Sequence, residues 1–246
     1  MQDTAEYQVK VEEALKRVEE VKHGVLTLSE PMKSQGKDLC EIAYDFTKIT
    51  AGDMTEAMDR NLGPNIGSMN PKQQMAVFAL SCRGYEGLDE KDLERLSAED
   101  AMAGVMIGGQ YLEHLESVAL VSRMIAWKEG ENPDSYYRKG TMRLEKEIEI
   151  DGEAHTRIPY DFGRMTGTKY VEVLSATSGT KAGFSYRQAL KLYLEAVRTA
   201  NKWDDQIMKG LAGKLTPEDI FSGQRVAIGF FLTAFLGARN RMSRKR

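Results

Sequence analysis

Two carboxylates stand in matching frames. Asp45 lies between Tyr44 and Phe46, Asp161 lies between Tyr160 and Phe162, and the two phrases are 116 residues apart. Two acids that met in space could form a catalytic pair and share general acid–base work. The plainer chemistry is structural. An Asp at a strand end accepts hydrogen bonds from backbone N–H groups of the following turn, while flanking rings clamp the strand to helices. The rest of the chain favours that second reading, because nothing completes a reactive set. His23, His114 and His155 are dispersed, and none falls in an HExxH pattern or beside a Ser or Cys nucleophile. Cys40 and Cys82 lack CxxC or Cys/His ligand spacing, so two ordinary thiols in a reducing cytosol are expected, with no metal. Gly108-Gly109 and Gly163 match no phosphate-cradling pattern, so no cofactor is expected. The expectation is a protein that is not an enzyme.

The elements that must position these residues also recur. Ile42, Tyr44, Asp45, Phe46, Thr50 and Glu56 are repeated as Ile158, Tyr160, Asp161, Phe162, Thr166 and Glu172 at the same spacing of 116. The flanks follow, which points to a duplicated unit rather than a duplicated phrase. In the first copy Val25 to Leu28 reads as a strand, Ser29 to Gly36 as a polar connection and Leu39 to Phe46 as the returning strand. In the second, Leu144 to Ile150 alternates strictly, Asp151-Gly152 supplies a type I′ turn, and Glu153 to Phe162 returns. Each hairpin leads through Thr50 or Thr166 into a helix. A second helix begins at Pro71 or Tyr186, with Gln73 and Gln188 in register. The segments Leu88 to Leu96 and Ile207 to Leu215 read as loops. Ser97-Ala98-Glu99-Asp100 and Thr216-Pro217-Glu218-Asp219 then open the last helix of each copy, a cap hydroxyl with an acid three residues on. Gly104, Gly108 and Gly223 in those helices mark a close approach of another helix, within the unit or between subunits, because glycine costs a helix about 1 kcal/mol against Ala.

The fold class expected is α+β and predominantly helical, with two tandem units, each a β-hairpin followed by about three helices. Residues 1–24 form a charged helix with a thin apolar stripe of Val11, Leu15, Val18 and Val21, so it either packs on the first unit or pairs with another subunit. The first unit spans 25–128, a linker 129–140, and the second unit 141–246. A net charge of −3 implies no general affinity for nucleic acid or an anionic membrane. The basic cluster Met242 to Arg246 reads as a solubilising terminus. The charged N-terminus lacks an apolar core and so does not read as a signal peptide, and the longest apolar run, Val226 to Leu236, is too short to span a bilayer.

Ile49-Thr50-Ala51-Gly52-Asp53 and Leu96-Ser97-Ala98-Glu99-Asp100, in the order hairpin, Thr-led helix, Gln-bearing apolar helix and capped final helix, resemble the tail assembly chaperones of long-tailed bacteriophages and prophages. The match covers residues 25–112. The second copy departs from it, with Gly167-Thr168-Lys169 in place of Ala51-Gly52-Asp53, and family members usually carry one unit rather than two. The resemblance implies a non-enzymatic protein of the host cytoplasm. Its partners would be the tape measure protein, which it keeps soluble before the tail tube polymerises, and the tail tube protein. It would form homo-oligomers and bind neither nucleic acid nor membrane. Candidate structural or partner-contact residues are Tyr44, Asp45, Phe46, Tyr160, Asp161, Phe162, Gly104, Gly108 and Gly223. The alternatives are a structural virion protein (a neck, tail terminator or baseplate component built from a duplicated domain) and a small-ligand or enzymatic site around the two Tyr-Asp phrases.

Overall fold

Apolar–polar alternation builds two hairpins, and capped amphipathic helices close over the inner face of each. The computed structural model describes residues 21–34, 36–61, 69–83, 88, 90–128, 135–175 and 184–243. The expected N-terminal helix over 1–24 (all but its last residues), residues 35, 62–68, 84–87, 89 and 176–183, the linker core 129–134 and residues 244–246 lie outside these. The class is mixed α and β and mostly helical, with two two-stranded antiparallel sheets. The chain divides into two compact units, Met1–Ser117 and Val118–Arg246.

In the first unit β1 (His23–Ser34) pairs with β2 (Lys37–Asp45). Then follow a 3-10 turn (Phe46–Lys48) and helices α1 (Ala51–Arg60), α2 (Pro71–Ser81), α3 (Glu90–Leu93) and α4 (Ala98–Lys128). In the second unit β3 (Lys139–Ile150) pairs with β4 (Glu153–Asp161). A 3-10 turn (Phe162–Arg164) leads to α5 (Gly167–Ser175), α6 (Tyr186–Asn201), α7 (Asp205–Lys214) and α8 (Pro217–Ser243). The division between units falls within α4, so residues 118–128 group with the second unit. The strand β3 starts inside the stretch expected as linker.

Three local readings change. Ser29 to Ser34 continues β1 instead of forming a connection. The pairing slips between Thr27 and Met32, so residues 28–31 stand opposite Cys40 alone. A wide irregularity of this kind hides strand alternation. The segments read as loops contain α3 and α7. The second is capped by Asp204, whose carboxylate accepts from Gln206 N and Ile207 N. Four helices, rather than about three, therefore follow each hairpin among the described residues.

The slip also flips the strand's phase. Ile42 and Phe46 point inward on one side of it, whereas Leu39 is half-buried and Cys40 exposed on the other. The second hairpin slips between Arg143 and Ile148, 116 residues on from the first. Its turn places Asp151 at φ 52° and Gly152 at φ 79°, the positive φ values that a type I′ turn demands. The first unit's core gathers Leu28, Met32, Ile42, Phe78, Cys82, Leu88 and Leu93. The second buries Met142, Leu144, Ile148, Ile150 and Ile158 from its strands and Leu192, Tyr193, Ala196 and Leu211 from its helices. Each such side chain contributes about 1.5–3 kcal/mol on burial.

Candidate functional site

Each hairpin ends in a Tyr-Asp-Phe phrase that turns into a 3-10 turn. In the first unit Phe46 N donates to Lys22 O at 2.8 Å, and in the second Phe162 N donates to Arg138 O at 2.8 Å. This fixes where each Phe ring lands. Phe46 stacks on Tyr111 at 4.1 Å, and Phe162 stacks on Phe230 at 4.5 Å. Tyr44 lies 6.1 Å from Phe78, and Tyr160 lies 6.1 Å from Tyr193. The two rings of the three-residue phrase thus complete an aromatic quartet joining hairpin, second helix and last helix within each unit. The Tyr160 hydroxyl is spent on Tyr136 O at 2.6 Å.

Both acids are engaged by their own turns. Asp45 accepts from Thr47 N at 3.0 Å and Thr47 Oγ1 at 2.6 Å, with Lys48 Nζ at 3.6 Å. Asp161 accepts from Gly163 N at 2.8 Å, with Arg164 Nε at 3.2 Å. Burial pushes the Asp45 carboxyl up, but the bonds from Thr47 and the nearby Lys48 outweigh it and hold the group below its ordinary value. A carboxylate so held is a poor general base near neutral pH.

The three glycines mark internal contacts. A Cβ on Gly104 would stand 2.8 Å from the Phe78 ring, and one on Gly223 would stand 2.5 Å from the Tyr193 ring. At Gly108 it would meet Gln74 O at 2.0 Å. Backbone approaches that close admit only glycine.

Several residues that fix this geometry carry no local signal of their role. Asp100 caps α4 through Ser97 and also reaches into the slipped part of the first hairpin, accepting from Ser29 N at 2.8 Å and Ser29 Oγ at 2.9 Å. Asp219 caps α8 through Thr216 and accepts from Glu145 N at 2.8 Å, in the slipped part of the second hairpin. Backbone N–H groups released from the strand ladder thus find a partner. Gln73 Nε2 donates to Met58 O at 3.0 Å, and Gln188 Nε2 donates to Leu174 O at 2.6 Å, so each Gln ties its helix to the end of the one before. Arg95 donates to Lys33 O and Lys214 to Glu149 O, pinning the hairpin tips.

An open cleft of about 400 Å³ lies at the mouth of the second hairpin, lined by Ser135, Lys139, Thr141, Pro159, Asp161 and Arg164. Its charged groups include the Asp161–Arg164 ion pair, and it contains no nucleophile–base pair. His155 packs edge-on against Trp203 at 5.6 Å. Cys82 is buried, and burial pushes its thiol up to about 12, far from reactive. Among the described residues no group of His, Cys, Asp and Glu could hold a metal ion, and no helix is long and apolar enough to cross a membrane.

The exposed apolar residues lie elsewhere. On α4 Met102 is 61% exposed and Met106 is 60% exposed, one helical turn apart on one face. Compared with protein-family models, with curated proteins and with solved structures, the chain matches none.

Proposed function

We propose that the chain is a non-enzymatic phage tail assembly chaperone, built by tandem duplication of one hairpin-and-helices unit. It binds the tape measure protein and keeps it soluble before the tail tube polymerises, acting in the host cytoplasm as a homo-oligomer. The duplication accounts for hairpin limits and slips matched at a spacing of 116, and for the matched ties of Asp100 and Asp219 to the slipped backbone. The observation that carries the binding role is where the chemistry-bearing groups go. Both Tyr-Asp-Phe phrases are spent on packing and turn capping, while two methionines face solvent on α4. Methionine is unbranched and polarisable, and it suits surfaces that fit varied apolar partners. A long helical protein waiting to assemble exposes apolar stripes, which such a face can shield.

The test is co-expression with the tape measure protein, followed by analysis of finished particles. Co-purification with the partner and absence from mature particles is the expected pair of results. Stoichiometric presence in purified particles would instead mark a structural virion component, and failure to bind would reject the reading.

A further inference from the structure

The mouth of the second hairpin carries more positive charge than its own turn uses. In the ladder Lys139 stands opposite Asp161, and Thr141 stands opposite Pro159. Residues two apart in a strand share a face, and so do directly opposed ones. These four side chains therefore lie on one side of the hairpin's base. The other side belongs to Tyr160, buried against Tyr193. Among the residues lining the cleft of about 400 Å³ there, Asp161 is the acid and Lys139 and Arg164 are the cations. Arg164 Nε holds Asp161 at 3.2 Å, yet its side chain is 59% exposed. A third cation stands over the same turn. A Cβ added to Gly163 would stand 3.0 Å from Arg138 Nε and 3.1 Å from Asp161 Oδ1. Arg138 and Lys139 are both exposed. One carboxylate thus faces three cations, in a chain whose net charge is −3.

The first unit keeps the basic character of this mouth. Lys22, His23 and Lys48 stand 116 residues before Arg138, Lys139 and Arg164. Lys48 Nζ lies 3.6 Å from Asp45, and His23 pairs opposite that acid. Other places at the mouth differ between the copies: Val25 against Thr141, Ala43 against Pro159 and Thr47 against Gly163. The basic places stay basic. Asp161 is already engaged by Gly163 N and Arg164, so its turn gives no use for Arg138 and Lys139.

We infer that this cleft binds an acidic peptide segment of a partner protein. Lys139, Arg138 and Arg164 take a Glu or Asp carboxylate, and Pro159 and Ala200 take an apolar side chain beside it. The lining favours a chain segment over a free ion, because Pro159 and Ala200 add apolar surface that a bare phosphate does not use. The cleft is open, whereas sites for small molecules enclose most of their ligand. The inference stands on the cleft alone and does not rest on the chaperone reading.

Backbone amide NMR of the full-length chain at low ionic strength, where exposed charges are least screened, tests it. The probe is a blocked Leu-Glu-Leu-Glu peptide. Saturable shifts are expected at Gly140, Thr141 and Gly163, with Gly152 at the far turn unmoved. A Leu-Gln-Leu-Gln peptide moves none of them. Arg138→Gln and Lys139→Gln each weaken binding about threefold, as loss of an exposed charge contact does, and Lys139→Arg restores it. Asp161→Asn removes the opposing carboxylate and tightens binding about threefold, which a purely structural mouth would not show. Unchanged amides at the buried Ile158 and Tyr193 report that each variant is folded. Inorganic phosphate, titrated separately, binds at least about tenfold more weakly than the Glu peptide. The inference is overturned if the Glu peptide gives no saturable shift or the Gln peptide moves the same amides equally. Phosphate binding as tightly as the peptide also overturns it, since the cleft would then be a general anion site.

Discussion

Asp100 and Asp219 hold the same position in their units, cap the same helix and tie down the same slipped stretch of hairpin, yet their acidities move in opposite directions. The bond from Ser29 N is the chief cause that lowers the Asp100 carboxyl, against a smaller push upward from burial and with help from the Ser97 and Ser29 hydroxyls. Burial is the chief cause that raises Asp219, against the bonds from Glu145 N, Thr216 N and the Thr216 hydroxyl, and Glu218 adds to the rise. The surroundings explain the reversal. Around Asp219 the residues Pro217, Glu218, Ile220 and Phe221 are all buried, whereas around Asp100 the residues Ala98, Glu99 and Met102 are exposed. Both carboxylates are themselves buried, one beneath a wet first turn and the other beneath a dry one. In the second unit Phe221 is buried beside Tyr186 and the Tyr137 ring lies against Gly229, whereas in the first unit Met102 and Met106 stand exposed.

The largest expected effect tests how far the units differ in packing. Gly108→Ala drives a Cβ into the Gln74 carbonyl and costs about 3 kcal/mol by chemical denaturation. The matching position in the second unit is already Ala227, and Ala227→Gly costs only about 1 kcal/mol. Equal costs would mean that the helix pairs approach equally closely in both units. The paired glutamines come next and should agree. Gln73→Ala and Gln188→Ala each remove a donor from a helix-end carbonyl and cost about 1–2 kcal/mol.

The acids then separate the units by sign. The folded-state value of Asp100 lies below the unfolded one, so its contribution is complete above about pH 4 and is lost as pH falls through the folded value. The folded-state value of Asp219 lies above the unfolded one. Its contribution is complete below about pH 4 and is lost as pH rises through the folded value. Denaturation midpoints across the acid range should therefore show Asp100→Asn flattening the low-pH limb. Asp219→Asn should flatten the decline on the neutral side. The same slope change in both variants would contradict the wet–dry contrast. The smallest effect belongs to the turn acids, where Asp45→Asn and Asp161→Asn cost about 0.5 kcal/mol or less.

Much of this architecture could be read locally. Thr50, Ser97 and Thr216 declare helix starts through a cap and an acid three residues on, and Asp151-Gly152 declares its turn, because each rule acts over a few residues. The first hairpin was harder. Pro31 and a polar stretch at the slip broke the alternation that marks a strand. The helix α3 is a single turn, too short for periodicity to emerge, and Gly210 and Gly213 within α7 speak against a helix there. The ties from Asp100 to Ser29 and from Asp219 to Glu145 join residues more than 70 positions apart, and no local pattern encodes them. The exposure of Met102 was hidden for a related reason. An apolar helix rich in small residues reads as core, and nothing local marks Met102 and Met106 as exposed.

On the proposed reading the chain works by binding, and its repeated acids are structural. Solubility of the co-expressed tape measure protein tests this most directly, measured with wild type, with Asp45→Asn/Asp161→Asn and with Met102→Asp/Met106→Asp. A soluble partner is expected with the wild type and with the Asn variant, and a precipitated one with the methionine variant. A folded Asn variant that fails while the methionine variant succeeds would contradict it.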